Sequence, residues 1–194
     1  KRQLVILSAF CYCLGLSEIV FGKQLSSHHS IYSSTLLMSS NSSLLDANGA
    51  MSYKIQETCD SWATETQVRM EYIYQEKQVV ESLWNFESRE SKDGQSYSFF
   101  LTQNDNGLDV ERLSGNVLKG MVRLTNHLKS HRMEFNLPDG TIFPIKHLQL
   151  LLNRVQRKDK IFFSRVFDGG GKDKLFNINS IIIDRDAKKR DYLV

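Results

Sequence analysis

Apolar and polar residues alternate along most of this chain with a period of two, the period of a half-buried β-strand. Met51, Tyr53 and Ile55 share one face, with Ser52, Lys54 and Gln56 on the other. Val68, Met70, Tyr72 and Tyr74 alternate with Gln67, Arg69, Glu71 and Gln75, interrupted only by Ile73. Val80, Trp84 and Phe86 fall in step, as do Tyr97, Phe99 and Leu101, then Ile161, Phe163 and Phe167, and finally Phe176, Ile178 and Ile182. Turn formers separate these runs: Asp46-Ala47-Asn48-Gly49, Lys92-Asp93-Gly94, Asn104-Asp105-Asn106-Gly107 and Asp168-Gly169-Gly170-Gly171. Asn-Gly and Asp-Gly supply the positive φ angles of tight hairpins, so the pattern predicts a mainly β, antiparallel meander. One stretch changes period. After Pro138-Asp139-Gly140, the residues Ile145, Leu148, Leu151, Leu152 and Val155 recur at helical spacing. Pro144 suits a first helical turn and Arg157-Lys158 a last one, which predicts one amphipathic helix over about 144–157, packed on the sheet by its leucine face.

The N-terminus reads differently. Lys1 and Arg2 precede an apolar run from Leu4 to Leu16, and Val20 and Gly22 fit the small-residue positions of a signal-peptidase site. The expected organisation is therefore a signal peptide over 1–22 cleaved after Gly22, a linker over 23–27 and a β-rich domain over 28–194. An uncleaved anchor or a buried first helix are the alternatives, and the apolar run is short for a membrane span of about 20 residues. Export places the mature protein in the periplasm or an equivalent compartment. Of 25 bases and 22 acids, removing Lys1, Arg2 and Glu18 leaves 23 and 21, a net charge of +2 with mixed signs. That balance offers no basic stripe for nucleic acid. Cys11 and Cys13 leave with the leader, so the mature chain keeps Cys59, an odd cysteine that points to a partner elsewhere.

Candidate chemistry is sparse. Gly169-Gly170-Gly171-Lys172 imitates a phosphate-binding loop, but Val166 occupies the position of its first glycine and Asp173 that of its magnesium-binding hydroxyl. It reads as a hairpin turn, and no nucleotide is expected. His28-His29 lacks companion ligands at metal-site spacing, and His127, His131 and His147 are scattered. No G-x-S-x-G elbow occurs, no Cys-His pattern frames Cys59, and Asp60 beside it reads as a turn former. The expectation is a protein without a catalytic site, metal or cofactor.

The remaining motifs carry a resemblance. His28-x-x-x-Tyr32 precedes Gly49-x-Met51-x-Tyr53 and Cys59-Asp60-x-Trp62. Trp84-x-x-Glu87-Ser88, Asp93-Gly94, Leu137-Pro138-x-Gly140-Thr141-x-Phe143-Pro144-x-x-His147 and Val166-Phe167-Asp168-Gly169 follow. This order, across about 28–183, is similar to the envelope integrity protein B (EipB) family of alphaproteobacteria. The resemblance implies a periplasmic β-spiral or half-barrel, an open, strongly curved sheet wrapped partly round a helix. It also implies a non-enzymatic role in envelope integrity, with a tetratricopeptide-repeat protein as partner. Ser61 stands where the family has glycine. The family domain runs on into further strands carrying the disulfide partner of the cysteine matched by Cys59, a segment this chain does not contain. A second functional expectation is a carrier holding a lipid or acyl chain on the concave face of the sheet, for which Tyr53, Tyr72, Trp84 and Phe99 are the candidates. An aromatic stripe on a strand is by default core.

Overall fold

The computed structural model describes residues 25–38, 43–171 and 175–183; the leader and Lys172 lie outside them. Eight strands form one antiparallel meander in sequence order: β1 (His28–Thr35), β2 (Leu44–Glu57), β3 (Ser61–Tyr74), β4 (Val79–Ser91), β5 (Ser96–Asp105), β6 (Leu108–Leu118), β7 (Met121–Asn126) and β8 (His131–Asn136). β1 and β8 do not pair, so the sheet is open. A second sheet has the order β11 (Leu175–Ile181), β10 (Ile161–Phe167), β9 (Thr141–Ile142), with β9 parallel to β10. The one α-helix among the described residues, α1 (Pro144–Gln156), links β9 to β10.

Residues paired across neighbouring strands share a face. One such row runs Ile55, Thr64, Ser88, Phe99, Gly115, Leu124, Met133 from β2 to β8. That face bears the core. Tyr97, Phe99, Val117, Val122 and Leu124 bury themselves against Phe143, which leads into α1, and Phe167, at the end of β10. A smaller cluster joins Ile55 and Trp62 to Ile145 of the helix, with Leu25 and Tyr53 alongside. Strands from both halves of the sheet thus close on the same insert, the geometry of a curved sheet round a helix.

Three local expectations differ from the structure. Asp46-Ala47-Asn48-Gly49 is not a turn but lies inside β2. The pairing shifts between Leu44 and Asp46, and the Asp46 carboxylate accepts the Ala47 N–H (2.8 Å) and the Asn48 amide (3.0 Å), so the turn-forming side chains hold a bulge instead. Gly49 serves close approach: a Cβ there would collide with Met70 and with the Arg69 carbonyl. In β10 the residues between the expected ones are buried. Phe162, Ser164 and Val166 are enclosed, whereas Ile161 and Phe163 are exposed, and only Phe167 of the expected set is enclosed. The helix begins as expected at Pro144, but its apolar face is not uniform. Ile145 is buried, Leu148, Leu151 and Leu152 are half-buried, and Val155 is exposed.

Candidate functional site

The motif residues gather at the seam between the sheet and the α1/β10 insert. The sequence explains the local path. Gly140 takes φ +77° and the Pro138 carbonyl accepts the Thr141 hydroxyl (2.6 Å), which turns the chain into β9. Phe143 then plunges into the core and stacks on Tyr97, centroids 4.9 Å apart. Pro144 occupies the first helical turn, where its missing N–H costs nothing.

No side chain of the helix's own approach caps α1. The cap comes from the sheet. Glu90 on β4 is buried, 3% exposed, and its two carboxylate oxygens accept the N–H groups of Ile145 and Lys146, each at 2.8 Å. Burial drives the Glu90 carboxyl up to about 7, against the pull of those two N–H groups and of the Lys146 ammonium. Sequence reading passed over Glu90, yet it left one signal. Glu90 is in phase with Trp84, Phe86 and Ser88, a charge in an inward register.

Three further links close the seam. The Tyr97 hydroxyl donates to the Asp168 carbonyl (2.9 Å), and burial raises its pKa. The Asp168 carboxylate accepts the Gly170 N–H (3.0 Å), which shapes the start of the β10–β11 hairpin. Gly169 sits at φ +90° against Phe99, where a Cβ would fall 2.6 Å from the ring. On the far side of the insert, His147 stacks on Phe162 and its Nδ1 lies 2.8 Å from the Ser164 hydroxyl; burial lowers its pKa. A hollow of about 390 Å³ remains between Trp62 and the helix flank at Lys146 and Asn153, bordered by the ion pair of Lys92 with Glu57 (2.8 Å).

The other motif residues lie at the edge of this arrangement. Cys59 is an exposed free thiol in the turn between β2 and β3. Asp60 beside it accepts the hydroxyls of Ser61 (3.1 Å) and Thr58 (3.0 Å), which hold its carboxyl below the usual range. Ser61 is itself buried and also receives the Arg89 guanidinium (3.2 Å), so the serine found in place of glycine is tied into a network. His28 bonds to the Ser26 carbonyl and lies 6.0 Å from Tyr53, while Tyr32 is exposed on the edge strand β1. His29 points to the other face, onto Ser52. Among the described residues no group of three His, Cys, Asp or Glu side chains is placed to hold a metal ion.

Tyr53, Tyr72, Trp84 and Phe99 do share the helix-bearing face, by register. They do not form one pocket. Phe99 is core and Tyr53 borders the Ile145 cluster, while Tyr72 and Trp84 are half-buried farther along the strands. Trp84 stacks on Phe86, centroids 5.5 Å apart, and Phe86 on Phe99. A hollow of about 470 Å³ opens on the opposite face of the sheet, between Lys54, Glu65, Glu87, Arg89 and Phe100.

Comparison with known proteins agrees with this architecture. The family model described as EipB-like matches residues 22–192. Among solved structures the chain is similar to a β-barrel-like protein of a domain of unknown function, DUF1849, from Brucella abortus. The TM-score is 0.72 at 18% identity, over 81% of this chain and 68% of that one. No curated protein matches.

Proposed function

Because the chain belongs to the EipB-like family, we propose that it is a non-enzymatic periplasmic protein that supports the cell envelope through protein contacts. One observation carries this reading. The polar groups of the family motif and its neighbours are spent on the frame itself: Glu90 on the helix N-terminus, Tyr97 on the Asp168 carbonyl, His147 on Ser164, Asp60 on its own turn. Such a motif specifies a shape, and a shape acts by what docks on it. The basic and apolar leader, with Val20 and Gly22 before the cut, supports export. In that compartment Cys59, exposed at a hairpin end, is open to pairing with a cysteine outside residues 1–194. A tetratricopeptide-repeat protein is the proposed partner.

The test is rescue. In an alphaproteobacterium deleted for its own family member, the exported chain should restore growth on detergent and on a cell-wall antibiotic, and a leaderless version should not. Equal rescue by the leaderless version would overturn the periplasmic reading.

A second reading is favoured by the Trp84–Phe86 stack, which continues the core along the helix-bearing face toward half-buried Tyr72. That stripe suits a lipid or acyl chain. Mass spectrometry of lipids extracted from protein purified out of the periplasm tests it: a stoichiometric acyl species supports the carrier, and its absence from native preparations refutes it.

A further inference from the structure

The face of the sheet turned away from α1 carries chemistry that the seam does not use. Three hollows of about 470, 240 and 400 Å³ adjoin there; the first shares Glu65, Glu87 and Phe100 with the second, and Ser98 with the third. Register accounts for their alignment, since Lys54, Glu65, Glu87, Phe100, Ser114, Thr125 and Arg132 follow one another from β2 to β8 as directly paired residues. Six inter-strand steps at about 4.8 Å make a trough roughly 29 Å long, running across the strands.

Two features set this trough apart from an ordinary solvated face. Glu65 and Glu87 stand directly opposite each other, a pairing of like charges that weakens a sheet. In addition, the side chains of Lys54, Glu87, Thr125 and Arg132 make no hydrogen bond or ion pair among the described residues, and neither do Ser98 and Asn116 in the adjacent row. Their donors and acceptors stay free, whereas Glu65 is held by Gln67, Ser114 by His127 and Arg123 by Glu134. At the centre the Phe100 ring is 36% exposed, flanked by Arg112 and His127.

Charge and polarity narrow the occupant. A nucleic acid would meet the carboxylates of Glu65, Glu87 and Glu134. An acyl chain would strip water from polar groups and give them nothing in return. An added peptide strand would pair with a sheet edge instead of crossing eight-stranded ladders at right angles. A sugar polymer meets each feature: its hydroxyls pair with carboxylates, hydroxyls, carboxamide and guanidinium forks, and the apolar face of a ring lies on Phe100. We propose that this polar trough binds an extended, hydroxyl-rich glycan. The proposal stands on the trough and not on the compartment, so its failure would leave the envelope-rescue result untouched.

The experiment titrates the full chain by calorimetry with an N-acetylglucosamine hexamer, with a maltose-type hexamer and with a heparin fragment of similar length. Saturable binding of a neutral hexamer is expected, weakened at least fivefold by Phe100→Ala and by Arg132→Ala. Arg69→Ala, on the same face outside the trough and paired with Glu81, should stay within twofold. Ser98→Glu, at an exposed position, should block binding while the melting curve is unchanged, which guards against misfolding of the Phe100 variant. Absence of saturable binding to either neutral hexamer, binding indifferent to Phe100 and Ser98, or capture of heparin alone that vanishes with salt would each overturn the proposal.

Discussion

Glu90 makes the sharpest demand on this fold, and replacing it with glutamine isolates that demand. The carboxyl titrates at about 7 in the folded chain against an ordinary 4.5. Between those values the folded state holds a proton that the unfolded chain has released, so stability falls as pH rises from about 4.5 to about 7. The gap of about 2.5 in pKa, at about 1.4 kcal/mol for each, amounts to about 3 kcal/mol. Glutamine resembles the protonated acid in shape and does not ionise. Its oxygen can accept one of the Ile145 and Lys146 N–H groups, while its NH₂ faces the other, a loss of about 1–2 kcal/mol that does not depend on pH. Urea unfolding at pH 5 and pH 8 then separates the two effects. The difference in stability, Glu90→Gln minus parent, should shift by about 2.5 kcal/mol in favour of the variant from pH 5 to pH 8, because part of the gap is already spent at pH 5. Other ionisable groups cancel in that difference. Parallel stability curves would show that Glu90 stays ionised throughout, and the account of a desolvated cap would be wrong.

Other perturbations probe the same seam. Gly169→Ala imposes a left-handed backbone strain of about 1–2 kcal/mol and also pushes on Phe99, an overpacking of about 1–3 kcal/mol, whereas Gly94→Ala, at φ +70° in open space, incurs only the first; thermal unfolding of the pair reads the difference. Leu151→Asp should destabilise by about 2–4 kcal/mol and Val155→Asp by no more than about 1 kcal/mol, because the last turn of α1 is exposed; equal effects would mean that the helix is seated differently. Cys59 should react with a maleimide in the native protein as fast as in urea, and Cys59→Ser should leave the melting temperature unchanged while abolishing oxidative dimers on a non-reducing gel.

Much of the architecture was legible because antiparallel strands announce themselves locally. Tyr97, Phe99 and Leu101 recur at every second position and are buried, with Ser98 and the more exposed Phe100 between them, and Asn106-Gly107 turns where it should, at φ +50° and +83°. The 144–157 periodicity gave the helix to within a residue of Pro144–Gln156. Misreadings came where one local signal served a different tertiary purpose. Asp46 and Gly49 carry turn chemistry, yet the long β2–β3 ladder recruits them for a bulge and a close approach. Phe162 and Val166 were overlooked in favour of Ile161 and Phe163 because β10 packs on a helix on one side and meets the core only at Phe167 on the other. The seam was legible as a set of motif residues but not as a mechanism. The partnership of Glu90 with Ile145 spans 55 positions and that of Tyr97 with Asp168 spans 71, distances over which no periodicity operates.

The central claim is that Glu90, beside the motif residues, fastens α1 to the sheet from its N-terminal end, and amide hydrogen exchange measures this directly. With Glu90 receiving the N–H groups of Ile145 and Lys146 inside a buried cluster, those two amides should exchange only through openings as costly as those of the Val117 and Leu124 amides in the sheet. The amides of Val155 and Gln156, in the exposed last turn, should exchange much sooner. Release of the whole helix at one fast rate, Ile145 and Lys146 included, while the sheet stays protected, would contradict the account.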